Sequence, residues 1–212
     1  MPVDLVRWAV VVPVKELPVA KTRLALPDAE REALALAMAL DVVRAAVACD
    51  VVDGVLAVTN DLRAAAALAP LGARVVADSS DAGLNPALAD GARLARSLWP
   101  RNGVAALASD LPCVVPGELA DALRAAAAYP RAVLPDAKGD GTTLLTARPG
   151  TDLDPRYGAS SRHAHIAAGA VQLPLGTWPT LERDVDTPAD LAAAVALGVG
   201  PATARALGSP GD

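Results

Sequence analysis

The 212-residue chain contains no phenylalanine, and with three tryptophans and two tyrosines its aromatic content is only 2%. Unpaired bases therefore have few rings to stack on, and 19 basic against 24 acidic residues leave a formal net charge of -5, the wrong sign for tracking a phosphate backbone. Both features argue against a nucleic-acid partner. Cysteine is scarce too: Cys49 and Cys113 lie far apart in Ala/Val-rich surroundings without CxxC spacing, so they read as core residues and not as a disulfide or metal pair. His163 and His165 form an HxH, but no cysteine or carboxylate stands at the short spacing of a zinc site. No apolar run approaches the ~20 residues of a membrane span, and MPVDLVRW lacks the regions of a signal peptide. The expectation is a cytoplasmic protein with no membrane partner.

What the chain does have is 53% hydrophobic residues, enough for a sizeable core, arranged as apolar β-branched runs alternating with Ala/Leu-rich stretches. That alternation predicts an α/β fold in one domain over residues 1–212, with a mostly parallel sheet. Continuous runs such as AVVVPV and VAALA call for helices on both faces. Strands are expected at Trp8–Val14, Gly54–Thr59, Arg74–Ala77, Val104–Ala108, Ala132–Leu134 and Thr143–Thr146, and near Val171 and Leu181. Helices are expected at Asp28–Ala48, Leu62–Ala69, Pro86–Leu98, Gly117–Tyr129, Arg162–Ala168 and Pro188–Leu197. The Gly/Pro-rich end, GVGPATARALGSPGD from residue 198, reads as a flexible tail.

Ligands of an open α/β sheet bind beyond the carboxyl ends of the strands. Lys15, Lys21 and Arg23 follow the first strand, Asp110 follows VAALAS, Asp136 follows RAVLP, and Asp184 and Asp186 follow Leu181. Cations and acids on one rim suit phosphate chemistry, in which Lys and Arg neutralise phosphoryl oxygens and carboxylates hold Mg2+. The bland alternatives are a solvated loop for the cations and turn capping for the acids. No GxxxxGK[ST] loop is present, and GDGTTL enters a strand, so it is not a dinucleotide fingerprint. Asn85-Pro86 reads as an N-cap followed by Pro at N1, and Ser161 reads as the cap of the next helix. Thr187-Pro188-Ala189-Asp190 reads as a capping box, which leaves Asp190 outside the site.

The ordered blocks PVKELPVAKTRLA, GLNPAL, SDLPCV, GDGTTLL, YGASSRHAH and DVDTPADL resemble the 2-phospho-L-lactate / phosphoenolpyruvate guanylyltransferase family of coenzyme F420 biosynthesis, over about residues 8 to 197. The resemblance implies a Rossmann-like nucleotidyltransferase fold related to the GT-A glycosyltransferases. It also implies GTP and a small phosphorylated three-carbon acid as substrates, with Mg2+ as cofactor. The acid's phosphate would attack the α-phosphorus of GTP, and a downstream transferase would pass the product to a deazaflavin precursor. By the same resemblance Lys15, Lys21 and Arg23 clamp the triphosphate, and Asp110 and Asp186 hold the metal, with Asp184 competing for the second place. Thr143, Gly158 and Ser161 bind the acid, and Asn85 lies near the base. A homodimer is left open.

Phosphoenolpyruvate is the expected acid, from an Ala/Arg/Val-heavy composition like that of the high-GC actinobacterial branch; 2-phospho-L-lactate and 3-phosphoglycerate are the alternatives. Phosphoenolpyruvate and 2-phospho-L-lactate differ so little that a pocket separates them by only ~1–3 kcal/mol. Further alternatives are a molybdopterin-type or sugar-phosphate nucleotidyltransferase, whose glycine-rich first loop is absent, and a non-catalytic nucleotide-binding protein. The chain departs from the family where Tyr157-Gly158-Ala159-Ser160-Ser161 replaces the usual Phe-Gly-x-Gly-Ser.

Overall fold

The computed structural model describes residues 6–78 and 83–208. Seven strands, β1 (Trp8–Pro13), β2 (Val52–Val58), β3 (Arg74–Val76), β4 (Gly103–Leu107), β5 (Arg131–Pro135), β6 (Thr142–Ala147) and β7 (Val171–Gln172), make one sheet in the order β3-β2-β1-β4-β6-β5-β7. Only β6 runs against its neighbours; every other pairing is parallel. Among the described residues eight α-helices accompany it: α1 (Asp28–Val47), α2 (Leu62–Leu68), α3 (Leu84–Leu98), α4 (Pro116–Ala126), α5 (Ser161–Ala167), α6 (Pro179–Glu182), α7 (Pro188–Leu197) and α8 (Pro201–Ala206).

The apolar run of β1 has no polar face because both faces are covered. Trp8, Val10 and Val12 enter one buried cluster with residues of α1, α2 and α4, while Ala9 and Val11 enter the other with residues of α3. Side chains alternate across a strand, so neighbouring residues feed opposite layers. Helix α3 lies close on the sheet because of Gly91: a methyl there would stand 2.8 Å from Val11 Cγ1. The missing phenylalanine is made good by tryptophan, with Trp8 fully buried, Trp178 buried and Trp99 packed over Gly54. Cys49 and Cys113 are buried free thiols, as their surroundings imply.

Two expectations fail. Leu181 lies in α6 and not in a strand, since Pro179 opens a helical turn there. The segment from residue 198 is not a loose tail within the described residues. Gly200-Pro201 starts α8, and the buried Asp41 of α1 accepts hydrogen bonds from the N–H groups of Ala202 (2.9 Å) and Thr203 (2.8 Å). Glycine and proline there punctuate a helix start. Residues 209–212 of the expected tail lie outside the described residues.

Candidate active site

Strand β1 is flanked by β2 on one side and β4 on the other, so successive connections leave in opposite directions and open a crevice at their carboxyl ends. Because β6 is antiparallel, its beginning, Thr142–Thr143, reaches the same rim, where the N–H of Ala108 donates to Thr143 O at 2.9 Å. A cavity of ≈ 390 Å³ occupies this crevice. Lys15, Lys21, Arg23, Asp110, Asp186, Thr143, Gly158 and Ser161 all line it, as do Asp136 and Asp184. Asn85 does not.

The cationic loop is held from two sides by residues that sequence reasoning missed. The buried guanidinium of Arg31, one turn into α1, donates to the carbonyls of Leu17 (3.3 Å), Ala20 and Pro18 (3.0 Å). Asp61, which also caps α2, accepts from the N–H of Leu17 at 2.9 Å. Asp61 was readable as a cap before Leu62; nothing in the sequence marks Arg31. Held in this way, the backbone at Lys21 adopts φ 55°, a left-handed conformation that costs a side-chain-bearing residue ~1–2 kcal/mol. Such local strain tends to gather at functional positions.

Lys21 Nζ bonds Asp110 Oδ2 and, at 2.9 Å, Asp186 Oδ1, while Arg23 Nη2 reaches Asp186 Oδ2 at 2.6 Å. Burial pushes the Lys21 ammonium towards losing its proton, but Asp110 and Asp186 outweigh it and hold its pKa above the ordinary value. Burial likewise opposes ionisation of Asp186, and Lys21 and Arg23 reverse that, keeping it below the usual carboxylate range. Asp184 goes the other way, pushed up to about 7 by burial and by Asp110, Asp136 and Asp186. The two acids that compete in the sequence thus differ in environment, since Asp186 is ion-paired and Asp184 is crowded by like charge. Asp186 is fixed through Asp190, which accepts from the N–H groups of Asp186 (3.2 Å) and Thr187 (2.9 Å) within the expected capping box. The N–H of Val185 bonds Asp110 O at 3.1 Å, joining the two acid-bearing segments.

Among the described residues no three His, Cys, Asp or Glu side chains are grouped to hold a metal ion. Magnesium needs less from the protein, often one or two carboxylates completed by phosphate oxygens and water. Asp110 and Asp186 already share one cationic group, the Lys21 ammonium, and their hard oxygens fit such a site.

Hydroxyl side chains line the cavity too. Ser161 is buried, but it is the first residue of α5 and not its cap; Ser160 precedes the helix at φ 53° and makes no side-chain capping bond. Ser161 Oγ donates to Thr142 Oγ1 at 3.1 Å, and Thr142 Oγ1 lies 3.0 Å from His165 Nδ1. Gly158 has φ 145°, a conformation that favours glycine, and a methyl added there would meet nothing within 4 Å. Asn85 is likewise not a cap, since α3 begins at Leu84. Its amide grips the backbone of Tyr157 instead, accepting from the N–H at 2.6 Å and donating to the carbonyl at 2.9 Å.

The profile of the guanylyl transferase CofC-like family matches residues 8–207. The chain belongs to that family. It is 54% identical, over 93% of its length and 94% of the relative's, to a phosphoenolpyruvate guanylyltransferase of Streptomyces coelicolor. It shows the same identity to one from Geodermatophilus obscurus, over 95% and 94% of the two chains. Among solved structures, a putative nucleotide-diphospho-sugar transferase from Desulfovibrio desulfuricans shares the fold with a TM-score of 0.59 at 17% identity, over 91% of this chain and 96% of that one. A Mycobacterium tuberculosis protein solved in complex with manganese does so with a TM-score of 0.50 at 22% identity, over 89% and 97%. The protein is thus a nucleotidyltransferase of the guanylyl-transferring family, which sets aside the molybdopterin-type and sugar-phosphate readings. No helix of the described residues is long and apolar enough to cross a membrane.

Proposed function

We propose that this guanylyltransferase moves the guanylyl group of GTP to phosphoenolpyruvate, giving enolpyruvoyl-2-diphospho-5'-guanosine and pyrophosphate as a step of coenzyme F420 biosynthesis. A phosphate oxygen of the acid forms a bond to the α-phosphorus, and the bond from that phosphorus to the pyrophosphate oxygen breaks. Both reactants are polyanions, so the protein's task is alignment and charge neutralisation. Lys15, Lys21 and Arg23 hold the triphosphate, while Thr143, Gly158 and Ser161 receive the acid. Asn85 stands outside the cavity and braces the loop of Tyr157, on the acid side and not the nucleotide side. Asp110 and Asp186 would hold Mg2+, which supplies bridging and neutralisation of phosphoryl oxygens when bound. A downstream transferase would consume the product.

The observation that carries the choice of acid is the 54% identity to a phosphoenolpyruvate guanylyltransferase over nearly the whole chain. The site assignment is supported by the convergence of eight residues from five separate segments on one cavity. The test is pyrophosphate release, coupled to pyrophosphatase, from GTP and Mg2+ with each acid in turn, together with the mass of the product. Release with phosphoenolpyruvate is expected. Release only with 2-phospho-L-lactate or 3-phosphoglycerate would overturn the acid, and none with any acid would overturn the reaction. Asp110→Asn should abolish turnover at unchanged fold, and near-normal turnover would remove Asp110 from the metal site.

A further inference from the structure

Thr142 and Ser161 line the cavity, and His165, buried behind them, does not. The three form a chain. Ser161 Oγ and Thr142 Oγ1 are 3.1 Å apart, and Thr142 Oγ1 lies 3.0 Å from His165 Nδ1. Ser161 and His165 stand four residues apart in α5, one turn along the same side, while Thr142 is the first residue of β6.

The direction of this chain is set at its far end. His165 Nε2 accepts the N–H of Arg156 at 2.8 Å, and a backbone N–H can only donate, so the neutral ring carries its proton on Nδ1. Burial above all holds the pKa of the ring down to about 4, which keeps it neutral near pH 7. Nδ1 therefore donates to Thr142 Oγ1, and the Thr142 proton has to point elsewhere. As the next bond stands, Ser161 donates to Thr142. A hydroxyl has one proton and two acceptor sites, so this bond can reverse without moving either oxygen. Reversed, Thr142 donates to Ser161 Oγ, and the Ser161 proton is released for an acceptor in the cavity. With the other tautomer of His165 the Thr142 proton would be drawn to Nδ1, and Ser161 would stay tied to Thr142.

We propose that His165 is a positioning residue for the acid substrate: through Thr142 it turns the Ser161 hydroxyl into a donor to an anionic oxygen of the bound phosphorylated acid. The inference rests on the reading that Ser161 receives that acid. All three donors then run one way, Nδ1–H to Thr142, Thr142 to Ser161 and Ser161 to the anion, and hydrogen bonds in series polarise one another. No proton is transferred, and the ring does not touch substrate. The acid gains a donor of fixed polarity without a further cation beside those of the Lys15–Arg23 loop.

Two histidine variants separate this role from a bracing one. His165→Asn keeps an N–H donor at the reach of Nδ1, towards Thr142, whereas His165→Gln keeps an acceptor at the reach of Nε2, towards Arg156. Thr142→Val removes the middle hydroxyl at nearly unchanged shape, so the test does not hang on how the histidine variants fold. His165→Gln and Thr142→Val should each raise the KM for phosphoenolpyruvate about three- to tenfold with the KM for GTP unchanged, and His165→Asn should stay within about twofold of wild type. Ser161→Ala should raise it about tenfold or more, and Thr142→Val added to Ser161→Ala should bring no further loss, because the chain has lost its end. Unchanged phosphoenolpyruvate KM in both His165→Gln and Thr142→Val would overturn the proposal, as would an equal effect on GTP. So would full additivity of Thr142→Val with Ser161→Ala, or a greater loss in His165→Asn than in His165→Gln, which would make the ring a brace for Arg156. No effect of Ser161→Ala would fail the acid-binding reading and the proposal with it, whereas a loss in Ser161→Ala alone would fail only the proposal. Wild-type protein that releases no pyrophosphate with any acid would fail the guanylyl-transfer reading, and calorimetric titration of phosphoenolpyruvate into the same variants with Mg2+ present would then decide the role of His165.

Discussion

Replacing Lys21 by methionine keeps an unbranched stem and removes the ammonium that Asp110 and Asp186 share. Breaking a fully buried ion pair costs about 3–5 kcal/mol, because a charge is left alone in a low dielectric. Here the side chains of Lys21, Asp110 and Asp186 are 12%, 23% and 28% exposed, and Arg23 still reaches Asp186. Water and the guanidinium therefore take over part of the loss, and about 2 kcal/mol is expected. In a domain of this size that is a fall of about 4–8 °C in Tm.

The diagnostic part of the experiment is magnesium. A cation that binds only the folded state stabilises it by an amount that grows with the logarithm of one plus the ratio of its concentration to its Kd. If the carboxylates of Asp110 and Asp186 hold Mg2+ as proposed, it would compete with the ammonium for them in the wild type and would not in Lys21→Met. Millimolar Mg2+ should raise the Tm of the variant more than that of the wild type, while guanylyl transfer falls by about 10²–10³ for loss of a charge aimed at the phosphates. Equal magnesium shifts in the two proteins, or a Tm within about 1 °C of wild type without magnesium, would refute the reasoning.

Two further outcomes follow from residues behind the site. Arg31→Met strips the loop carbonyls of Leu17, Pro18 and Ala20 of their donor, and should cost about 2 kcal/mol in denaturant unfolding and raise the KM for GTP with little change in that for the acid; equal KM values for GTP would show that the loop needs no such support. His165, chiefly through burial, is held down to about 4, so below its ordinary value near 6.5 the unfolded chain takes up a proton that the folded one refuses, and stability is lost between about pH 6.5 and 4, by about 3 kcal/mol in all. Asp184, pushed up to about 7, has the opposite slope in that window, so the measurement is the difference between wild type and His165→Asn as pH falls; a difference that stays flat would mean that His165 titrates normally.

The sheet, its helices and the residues of the rim were legible because they depend on local signals: apolar runs, helix caps, and chemistry-bearing residues directly after strands. Lys21 and Asp110 follow β1 and β4, and the rule for strand ends brings them together; Asp186 follows α6 and not a strand, and its segment is tied to the rim by the Val185 N–H on Asp110 O. What was not legible depends on partners that only the fold supplies. Asn85 has the sequence context of a cap, yet its amide is taken by a backbone 72 residues away. Ser161 reads as a cap, but the left-handed Ser160 shifts the helix start by one residue and turns the Ser161 hydroxyl to Thr142. The strand expected near Leu181 and the loose tail expected after 198 both give way to helices, because Pro179 and Pro201 are first helical residues.

Several local terms at the site are unfavourable in the ligand-free chain: the left-handed Lys21, the like-charged crowding of Asp184, and the unpaired Tyr157 hydroxyl. None of them is a packing defect, since the core beneath is continuous and Leu107 and Leu111, on either side of Asp110, are fully buried. A bound divalent cation would relieve one of them, by offsetting the carboxylate charge that crowds Asp184. Among the residues that line the cavity the cationic side chains all come from one loop, which Arg31 and Asp61 hold against its own backbone preference at Lys21. The fold thus holds the site in a costly state, part of which a bound cation would recover.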